Sequence, residues 1–406
     1  MVFPSGPSPS ARTCALTALF SIIAVACVSN GASSPPVTLP VHKHTGVSES
    51  PSGVHSPTAS CPETVFHRLT LPQRVGQLFA LGLAADRLGP PELDEIRSHH
   101  VGSVWFTETS TGGTSSVRAV ASAVQAEATH KATGGVRFFV AANQEGGEIQ
   151  ALQGAGFSTI PTALLQGTFQ PGALQRDALT WGRQLSKAGV NLDFAPVVDV
   201  VPPGTDAQNQ PIGVLQREFG HDPATVASHA RAFIRGMSTA GIATTAKHFP
   251  GLGRVLGNTD NVAGVVDTSS TKTSTSLRPF RAAVAAGVPF VMVALATYTR
   301  IDATHLAVFS PTVMRLLRDG LGFHGVIASD DLGAAVAVTN LAPAQRAIDF
   351  LMAGGDLIVS KTVAPTTAMT NAVLARASTD PVFKARVDDA VHHVLAAKSA
   401  SGLLTC

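Results

Sequence analysis

Eight short apolar runs separated by longer helical patterns are the feature that most constrains the fold of this chain. Such alternation is typical of parallel βα units rather than of an antiparallel sandwich. Because the runs number eight and polar residues recur at their ends, we predict an α/β fold, a single (β/α)8 TIM-type barrel. A doubly wound open sheet fits the same alternation and is the alternative. The predicted strands are 78–82, 102–106, 136–141, 190–196, 242–246, 290–295, 326–329 and 357–360.

The intervening helices carry their own start and stop signals. Asp222 followed by Pro223 is a helix N-cap with proline at the first helical position. Gly241 ends this helix and leads into the strand at 242–246. Between these limits, apolar residues recur at helical spacing and place one stripe toward the sheet. The stripe consists of Val226, Ala230, Phe233 and Met237.

The composition is that of a globular protein with enough apolar material for a large core. The chain has 406 residues, of which 45% are hydrophobic and 14% charged, with a net charge of +2. This near-neutral balance, without a basic stripe, gives no electrostatic reason to expect a nucleic-acid partner. We therefore predict that the protein does not bind nucleic acid. A monomer is expected, although the composition does not determine the oligomeric state.

The amino terminus has the pattern of an export signal, assigned to residues 1–27. Arg12 supplies the positive charge, and the apolar run at 15–25 is too short to span a bilayer comfortably. Small residues lead into Cys27, as in a bacterial lipoprotein signal whose cysteine is lipidated. An ordinary cleaved signal with an incidental cysteine is the alternative. A lipid on Cys27 would be the only link to a membrane, since no later segment is long and apolar enough to span one.

The next segment, 28–60, is rich in Pro, Ser and Thr and is predicted to be a flexible linker. It precedes a folded domain predicted at 61–406, which Cys61 and Cys406 bracket. Two remaining cysteines in an exported protein usually pair, and a barrel brings its first and last elements together. We predict a Cys61–Cys406 disulfide, with two free thiols as the alternative.

Polar residues stand at the ends of two predicted strands. Lys247 and His248 come directly after one apolar run, and Asp330 and Asp331 come directly after another. Folding alone does not explain a lysine at such a place, because lysine is rarely buried without a partner. Barrel enzymes build their active sites at the carboxyl ends of the strands. The sequence therefore predicts a functional site at this end of the barrel.

Taken in order, these motifs resemble the β-N-acetylglucosaminidase branch of glycoside hydrolase family 3, in its exported, lipoprotein-like actinobacterial type. The resemblance extends over about residues 65–400. Its most specific segments are Lys-His-Phe-Pro-Gly at 247–251 and Ser-Asp-Asp-Leu at 329–332. Weaker support comes from Gln-Glu-Gly-Gly at 144–147, the segment 191–199, Arg-Glu-Phe-Gly at 217–220 and Leu-Arg-Pro-Phe at 277–280.

The resemblance implies that Asp330 is the nucleophile of a retaining glycosidase. Such enzymes need an ionised carboxylate beside the anomeric carbon to form a glycosyl-enzyme intermediate. A helix N-cap is the alternative role for Asp330, and Asp331 is expected to cap or support its neighbour.

The resemblance also implies a set of sugar-binding residues around the nucleophile. Cations at these positions would hold sugar hydroxyls and keep Asp330 ionised. An ion-pair cluster with a purely structural role is the alternative. Neither a metal nor another cofactor is expected, since no second His or Cys stands at ligand spacing from His248. The matching positions are Lys247, His248, Arg217, Asp199 and Asn143, the last replacing a sugar-binding Asp.

The pattern breaks at the general acid/base. In this branch the loop after Lys-His-Phe-Pro-Gly carries Asp-Ser-His, whereas this chain has Asn258, Thr259 and Asp260. Leu252 and Leu295 also stand where histidines are common. One interpretation makes Asp260 the acid/base, with its pKa raised by burial or by Asp330. In the other, Asp260 is a solvated loop acid.

The expected function is that of a retaining glycoside hydrolase, present at the cell envelope or secreted. It would release terminal β-linked N-acetylglucosamine from cell-wall (peptidoglycan) fragments, so its partner is a carbohydrate. A catalytically weak or silent carbohydrate-binding lipoprotein is one alternative, and a β-glucosidase of the same fold is another. Phosphate could also replace water as the acceptor.

Overall fold

The structure, a computed structural model, describes residues 60–406. The predicted signal segment at 1–27, with Cys27, and the predicted linker at 28–60 lie outside the described residues, apart from Ser60. The predicted domain at 61–406 begins with the helix Cys61–Arg68. A disulfide joins Cys61 to Cys406, whose Cα atoms lie 5.7 Å apart. The two cysteines thus connect the first helix of the domain to residue 406.

Eight parallel strands form one sheet whose spatial order follows the chain from β1 to β7, with β8 beside β1. The sheet closes between β7 and β8, where Ser329 N donates to Leu357 O over 2.9 Å. The (β/α)8 prediction is confirmed, and each predicted strand overlaps an observed one. The strands are β1 (Phe79–Leu83), β2 (Ser103–Phe106), β3 (Phe139–Ala142), β4 (Leu192–Asp193), β5 (Ala243–Phe249), β6 (Phe290–Val293), β7 (Val326–Ser329) and β8 (Ile358–Ser360).

Helices surround the barrel and cover the outer face of the sheet. Their apolar sides, with the strands, form one continuous hydrophobic core. None of the helices among residues 60–406 is both long and apolar enough to cross a membrane. The α-helices are Cys61–Arg68, Leu71–Gly76, Pro90–Ser98, Gly113–Ala126, His130–Thr133, Ala163–Gln166, Pro171–Lys187, Pro223–Thr239, Arg278–Ala285, Pro311–Arg315, Pro343–Ala353, Val363–Thr379 and Pro381–Ala400, and the π-helical turn Leu316–Gly320 extends Pro311–Arg315.

The helix Pro223–Thr239 shows how local signals fix these elements. The Asp222 side chain accepts a hydrogen bond from Thr225 N at 2.8 Å, as an N-cap does. The predicted apolar stripe is buried along its whole length. Just after the helix, Gly241 adopts a φ of 78°, a left-handed conformation that turns the chain into β5 at little steric cost.

The amino-terminal end of the barrel is closed around a buried lysine. Lys398 Nζ donates to Gln77 Oε1 at 2.6 Å, to Gly102 O at 2.7 Å and to Arg137 O at 2.9 Å. These acceptors are all neutral, and burial lowers the pKa of Lys398 well below its usual range. The carboxyl-terminal end of the barrel instead opens into a cleft.

Candidate active site

The cleft at the carboxyl ends of the strands has a volume of about 440 Å³. Its apolar surface includes Trp105, Phe194 and Met292. Asp199 is fully buried behind the wall. The other residues predicted to contact substrate or take part in the reaction all line the cleft. These are Asn143, Arg217, Lys247, His248, Asp260 and Asp330.

One wall of the cleft is built around the buried carboxylate of Glu145. Arg217 holds it through two hydrogen bonds of 2.8 Å, in the bidentate geometry that favours Arg–carboxylate pairs. Lys247 Nζ lies 2.6 Å from Glu145 Oε1 and 2.7 Å from Asn143 Oδ1. Arg217 also donates to Pro211 O at 2.8 Å. Two cations, one from the end of β5 and one from the connection after β4, are therefore fixed by one acid.

This arrangement sets the charge of Glu145. Burial alone would raise its pKa, but Arg217 and Lys247 outweigh burial and lower the pKa to about 2. Below it, Asp193 at the end of β4 is fully buried and accepts from Gln144 N at 3.0 Å. Burial raises the pKa of Asp193 to about 7, against the effects of Gln144 and Lys247. Glu145 is thus the ionised carboxylate of this wall.

His248 is oriented from behind by Asp199. Its Nδ1 lies 2.8 Å from Asp199 Oδ2, and the other carboxylate oxygen accepts from Leu252 N at 2.8 Å. The peptide between Lys247 and His248 is cis, and β5 is irregular at this point. Both side chains lie at the end of the same strand, one beside Asn143 and the other beside Asp199.

Asp330 and Asp331 have different surroundings. Asp330 follows β7, lies half-buried at the cleft, and its N–H donates to Val293 O at 3.1 Å. Asp331 Oδ1 instead accepts from Gly333 N at 2.8 Å, from Ala334 N at 3.2 Å and from Lys361 N at 2.9 Å. Asp330 Oδ1 accepts one backbone hydrogen bond, from Asp331 N at 2.9 Å, against three for Asp331 Oδ1. Asp330 is therefore the less engaged of the two carboxylates.

The loop carrying Asp260 is attached to the loop that follows Asp330. Val336 N donates to Asp260 O at 3.2 Å, and Ala337 N donates to Thr259 O at 3.1 Å. Both carboxylates therefore face the same cleft.

The Asp260 side chain reaches solvent at the cleft mouth, although cleft walls surround it. Desolvation by those walls raises its pKa, and the nearby Asp330 raises it further, whereas Arg217 and His248 oppose the shift. This environment favours the protonated form of Asp260 more than an open loop would.

The residue that the sequence analysis left without a role is Glu145. It stands directly after β3 inside the quoted Gln-Glu-Gly-Gly segment, and an acid at a strand end facing two predicted cations was the available signal. Leu252 and Leu295, which the resemblance places where histidines are expected, are both buried.

Metal-ligand chemistry lies outside the cleft. Within residues 60–406, the side chains whose ligand atoms are close enough to share a metal ion are those of Asp206, Glu218 and His221. None of the three lines the cleft.

A parallel barrel with carboxylates and fixed cations at its carboxyl end defines a barrel enzyme whose cleft suits a neutral polar ligand. The Glycosyl hydrolase family 3 N terminal domain matches residues 70–397, and the chain belongs to this family. It is therefore a glycosidase, an enzyme that hydrolyses O-glycosyl bonds.

Individual relatives agree with this assignment. A beta-hexosaminidase of Stenotrophomonas maltophilia is 32% identical over 292 residues, which are 70% of this chain and 82% of that protein. A crystal structure of a beta-N-acetylhexosaminidase from Beutenbergia cavernae is 49% identical, with a TM-score of 0.80 over 82% of this chain and 99% of that one. A family 3 beta-N-acetylglucosaminidase from Paenibacillus is 26% identical, with a TM-score of 0.75 over 82% and 63%.

Proposed function

We propose that this enzyme is a β-N-acetylhexosaminidase that releases terminal β-linked N-acetylglucosamine with retention of configuration. The observation that carries the proposal is the placement of Asp330 and Asp260 at one cleft, where desolvation and the nearby Asp330 raise the pKa of Asp260. Pairs of carboxylates at one cleft divide the nucleophile and acid roles in glycosidases. The names of the relatives above support the choice of sugar.

In this mechanism an oxygen of Asp330 attacks the anomeric carbon as the bond to the leaving oxygen breaks. Asp260 gives its proton to that oxygen, so the leaving group departs as an alcohol. Asp260 then takes a proton from water, whose oxygen attacks the anomeric carbon and frees Asp330. The products are N-acetylglucosamine and the shortened glycan, and water is the only other reactant.

The sugar would lie against the wall formed by Lys247, Arg217 and Asn143. Because the ion pairs with Glu145 hold both cations in place, little side-chain entropy is lost when the sugar binds. Asn143 Oδ1 already accepts from Lys247, which leaves the amide N–H groups to donate to the ligand. Asn143 would then offer a donor where an Asp would offer only acceptors.

The decisive experiment compares two substrates on the Asp260→Ala variant. An aryl β-N-acetylglucosaminide has a leaving group that needs little protonation, whereas a β-linked N-acetylglucosamine disaccharide needs an acid. We expect kcat/KM on the disaccharide to fall about 10²- to 10⁴-fold and the aryl substrate to be affected far less. The neighbouring Asn261→Ala variant disturbs the same loop without removing a carboxylate, so it should not separate the two substrates.

A second variant tests the nucleophile. Asp330→Asn should lower kcat/KM on both substrates by at least about 10⁴-fold, since no covalent intermediate can form. Equal losses on both substrates for Asp260→Ala would remove Asp260 as the acid. Binding of N-acetylglucosamine without turnover by the wild type would favour the silent binding protein, and preference for an aryl β-glucoside would change the proposed sugar.

We further propose that the enzyme is exported, lipidated at Cys27 and active on peptidoglycan fragments. The signal-like segment 1–27 and the Pro/Ser/Thr-rich segment 28–60 support export, as does a disulfide between Cys61 and Cys406, which an oxidising compartment favours. Growth with a labelled fatty acid should label the wild type and leave Cys27→Ala unlabelled. Equal labelling of both would contradict lipidation at Cys27.

A further inference from the structure

Three ligand-type side chains meet in the connection between β4 and the helix Pro223–Thr239. They are Asp206, Glu218 and His221, and each offers an atom within 4.8 Å of the atoms offered by the other two. Asp206 and His221 are partly open to solvent, with exposed side-chain fractions of 34% and 33%. The group is therefore reachable from solution on one side and buried on the other.

Glu218 forms the buried side of this cluster. Its exposed fraction is 0%, and neither of its carboxylate oxygens has a hydrogen-bond partner among residues 60–406. Asp206 Oδ1 is likewise buried without one. Buried carboxylate oxygens are nearly always satisfied, because a buried acceptor without a partner loses the hydrogen bonds that water gave it. Because Glu218, Asp206 and His221 each offer a ligand atom within 4.8 Å of the other two, a positive group placed among them would pair with these oxygens.

A cation bound beside the buried carboxylate of Glu218 would offset the cost of its desolvation. The alternative is a single proton shared between Glu218 and Asp206.

The spacing within the cluster fits a small divalent ion. His221 Nδ1 lies 3.6 Å from Asp206 Oδ1, and two ligands of a tetrahedral Zn²⁺ ion lie about 3.4 Å apart at normal bond lengths. At 3.6 Å the two atoms are too far apart for a direct hydrogen bond. His221 Nδ1 also lies 3.2 Å from Val201 O. An ion bound to this nitrogen would replace that hydrogen bond, and a modest inward movement of either side chain would complete the geometry.

The backbone around the cluster is already fixed. Asn209 Nδ2 donates to Leu252 O at 2.8 Å and to Val255 O at 2.7 Å, and its Oδ1 accepts from Gly213 N at 2.8 Å. Gly213 packs so tightly that an added Cβ would lie 2.7 Å from the Asp206 Cα. Because this segment is held in place, little ordering would be needed when an ion binds.

We propose that Asp206, Glu218 and His221 form a binding site for a first-row divalent transition-metal cation, for which Zn²⁺ is the best match. One imidazole nitrogen with two carboxylates is a donor set that such ions accept, and the fourth position is left to water. Mg²⁺ and Ca²⁺ prefer oxygen donors alone and should bind more weakly. A bound ion would hold in place the segment that carries Arg217, the arginine of the cleft wall.

The test is direct Zn²⁺ binding to the full chain, measured by competition with a chromophoric chelator. Wild type should bind one Zn²⁺ per chain, and Glu218→Gln and His221→Gln should each weaken binding about 100-fold or more. His305→Gln is the matched control, because His305 also contacts an acid, Asp302, whose oxygens have other partners. That variant should bind Zn²⁺ like the wild type.

Two further measurements keep the assignment specific. Asp330→Asn should retain the Zn²⁺ ion, which separates this site from the carboxylates of the cleft. Co²⁺ in place of Zn²⁺ should give a visible absorption band that His221→Gln abolishes. The proposal would be overturned if the wild type bound no Zn²⁺, or if Glu218→Gln and His221→Gln both bound Zn²⁺ like the wild type. A proton shared between Glu218 and Asp206 would then explain the cluster. None of these readouts depends on turnover, so they stand apart from the proposed activity.

Discussion

The barrel holds two buried lysines at its opposite ends, and their surroundings differ. Lys398 at the amino end has three neutral acceptors and, among residues 60–406, no carboxylate partner, whereas Lys247 at the carboxyl end has Glu145 and Asn143. Lys398 closes the barrel floor, but Lys247 faces a cleft. A buried lysine is thus not evidence of a site by itself. An opposite charge at the mouth of an open cleft is what distinguishes Lys247.

The amino end of the barrel serves stability and the carboxyl end serves function, as expected for such a barrel. Neutral acceptors hold Lys398 in place but favour its uncharged form. At the other end, Glu145 is shared between Lys247 and Arg217, so three charges are fixed around the ligand position. The amino end is built to fill space, whereas the carboxyl end is built to keep charges in a defined geometry.

The largest effects are expected when each lysine is replaced with methionine. Lys247→Met should lower kcat/KM by about 100-fold or more, because a donor in the cleft is lost. It should change stability by only about 1 kcal/mol, since Arg217 still pairs with Glu145. Lys398→Met should cost about 3 kcal/mol of unfolding free energy, because three acceptors lose their donor. Activity per folded molecule should stay unchanged in that variant.

Denaturant unfolding and steady-state kinetics on both lysine variants check this crossed pattern. If Lys398→Met lowered kcat/KM without lowering stability, the separation of the two barrel ends would be wrong.

A second test sharpens the role of the acid that distinguishes the carboxyl end. Glu145→Gln leaves two buried cations without their counterion and should destabilise the protein by about 3–5 kcal/mol. The matched control is Glu127→Gln, which breaks an exposed Arg97–Glu127 pair of similar bidentate geometry and should cost less than about 1 kcal/mol. If chemical denaturation showed the same loss of unfolding free energy for both variants, burial would not add to the contribution of the Glu145 ion pairs.

The acid dependence of Glu145 has a defined sign. Its folded pKa of about 2 lies below the ordinary value of 4.5, so its stabilising contribution is complete above pH 4.5. The contribution is lost as pH falls from 4.5 toward 2. Unfolding of the wild type and of Glu145→Gln should therefore differ most at neutral pH and converge in acid.

The sequence predicts the scaffold and the polar strand ends because both are local patterns. Alternating apolar runs identified all eight strands. Lys247 and His248 stand at the carboxyl end of β5, and Asp330 stands directly after β7. Glu145 received no role because its partner Arg217 is 72 residues away, and only the closed barrel brings the two together. Pairwise charge matching over such distances is a property of the fold.

The metal-ligand cluster was missed for the same reason. Asp206, Glu218 and His221 show no recognisable ligand spacing, and the unpartnered oxygens of Glu218 are visible only once the surrounding segment is packed. The protonation preference of Asp260 likewise depends on the loop that follows Asp330, to which its own backbone is bonded.

The pH profile tests the carboxylate pair at the same end of the barrel. A general acid must be protonated, so kcat/KM on a disaccharide should fall as pH rises through the pKa of Asp260. Because that pKa is raised above 3.8, the fall should occur at higher pH than an ordinary aspartate would give. Asp260→Asn should remove this limb of the profile, and its persistence would assign the acid role to another group.

The smallest expected effect concerns the neutral partner of Lys247. Asn143→Asp would give Lys247 a second carboxylate but would remove the amide N–H groups that face the cleft. If Asn143 donates to the sugar, KM should rise about tenfold, which corresponds to about 1.4 kcal/mol and one lost hydrogen bond. Asn143→Ala removes both the donor and the acceptor and is the control. Tighter sugar binding by Asn143→Asp than by wild type would mean that the sugar needs an acceptor, and that the amide weakens recognition at this position.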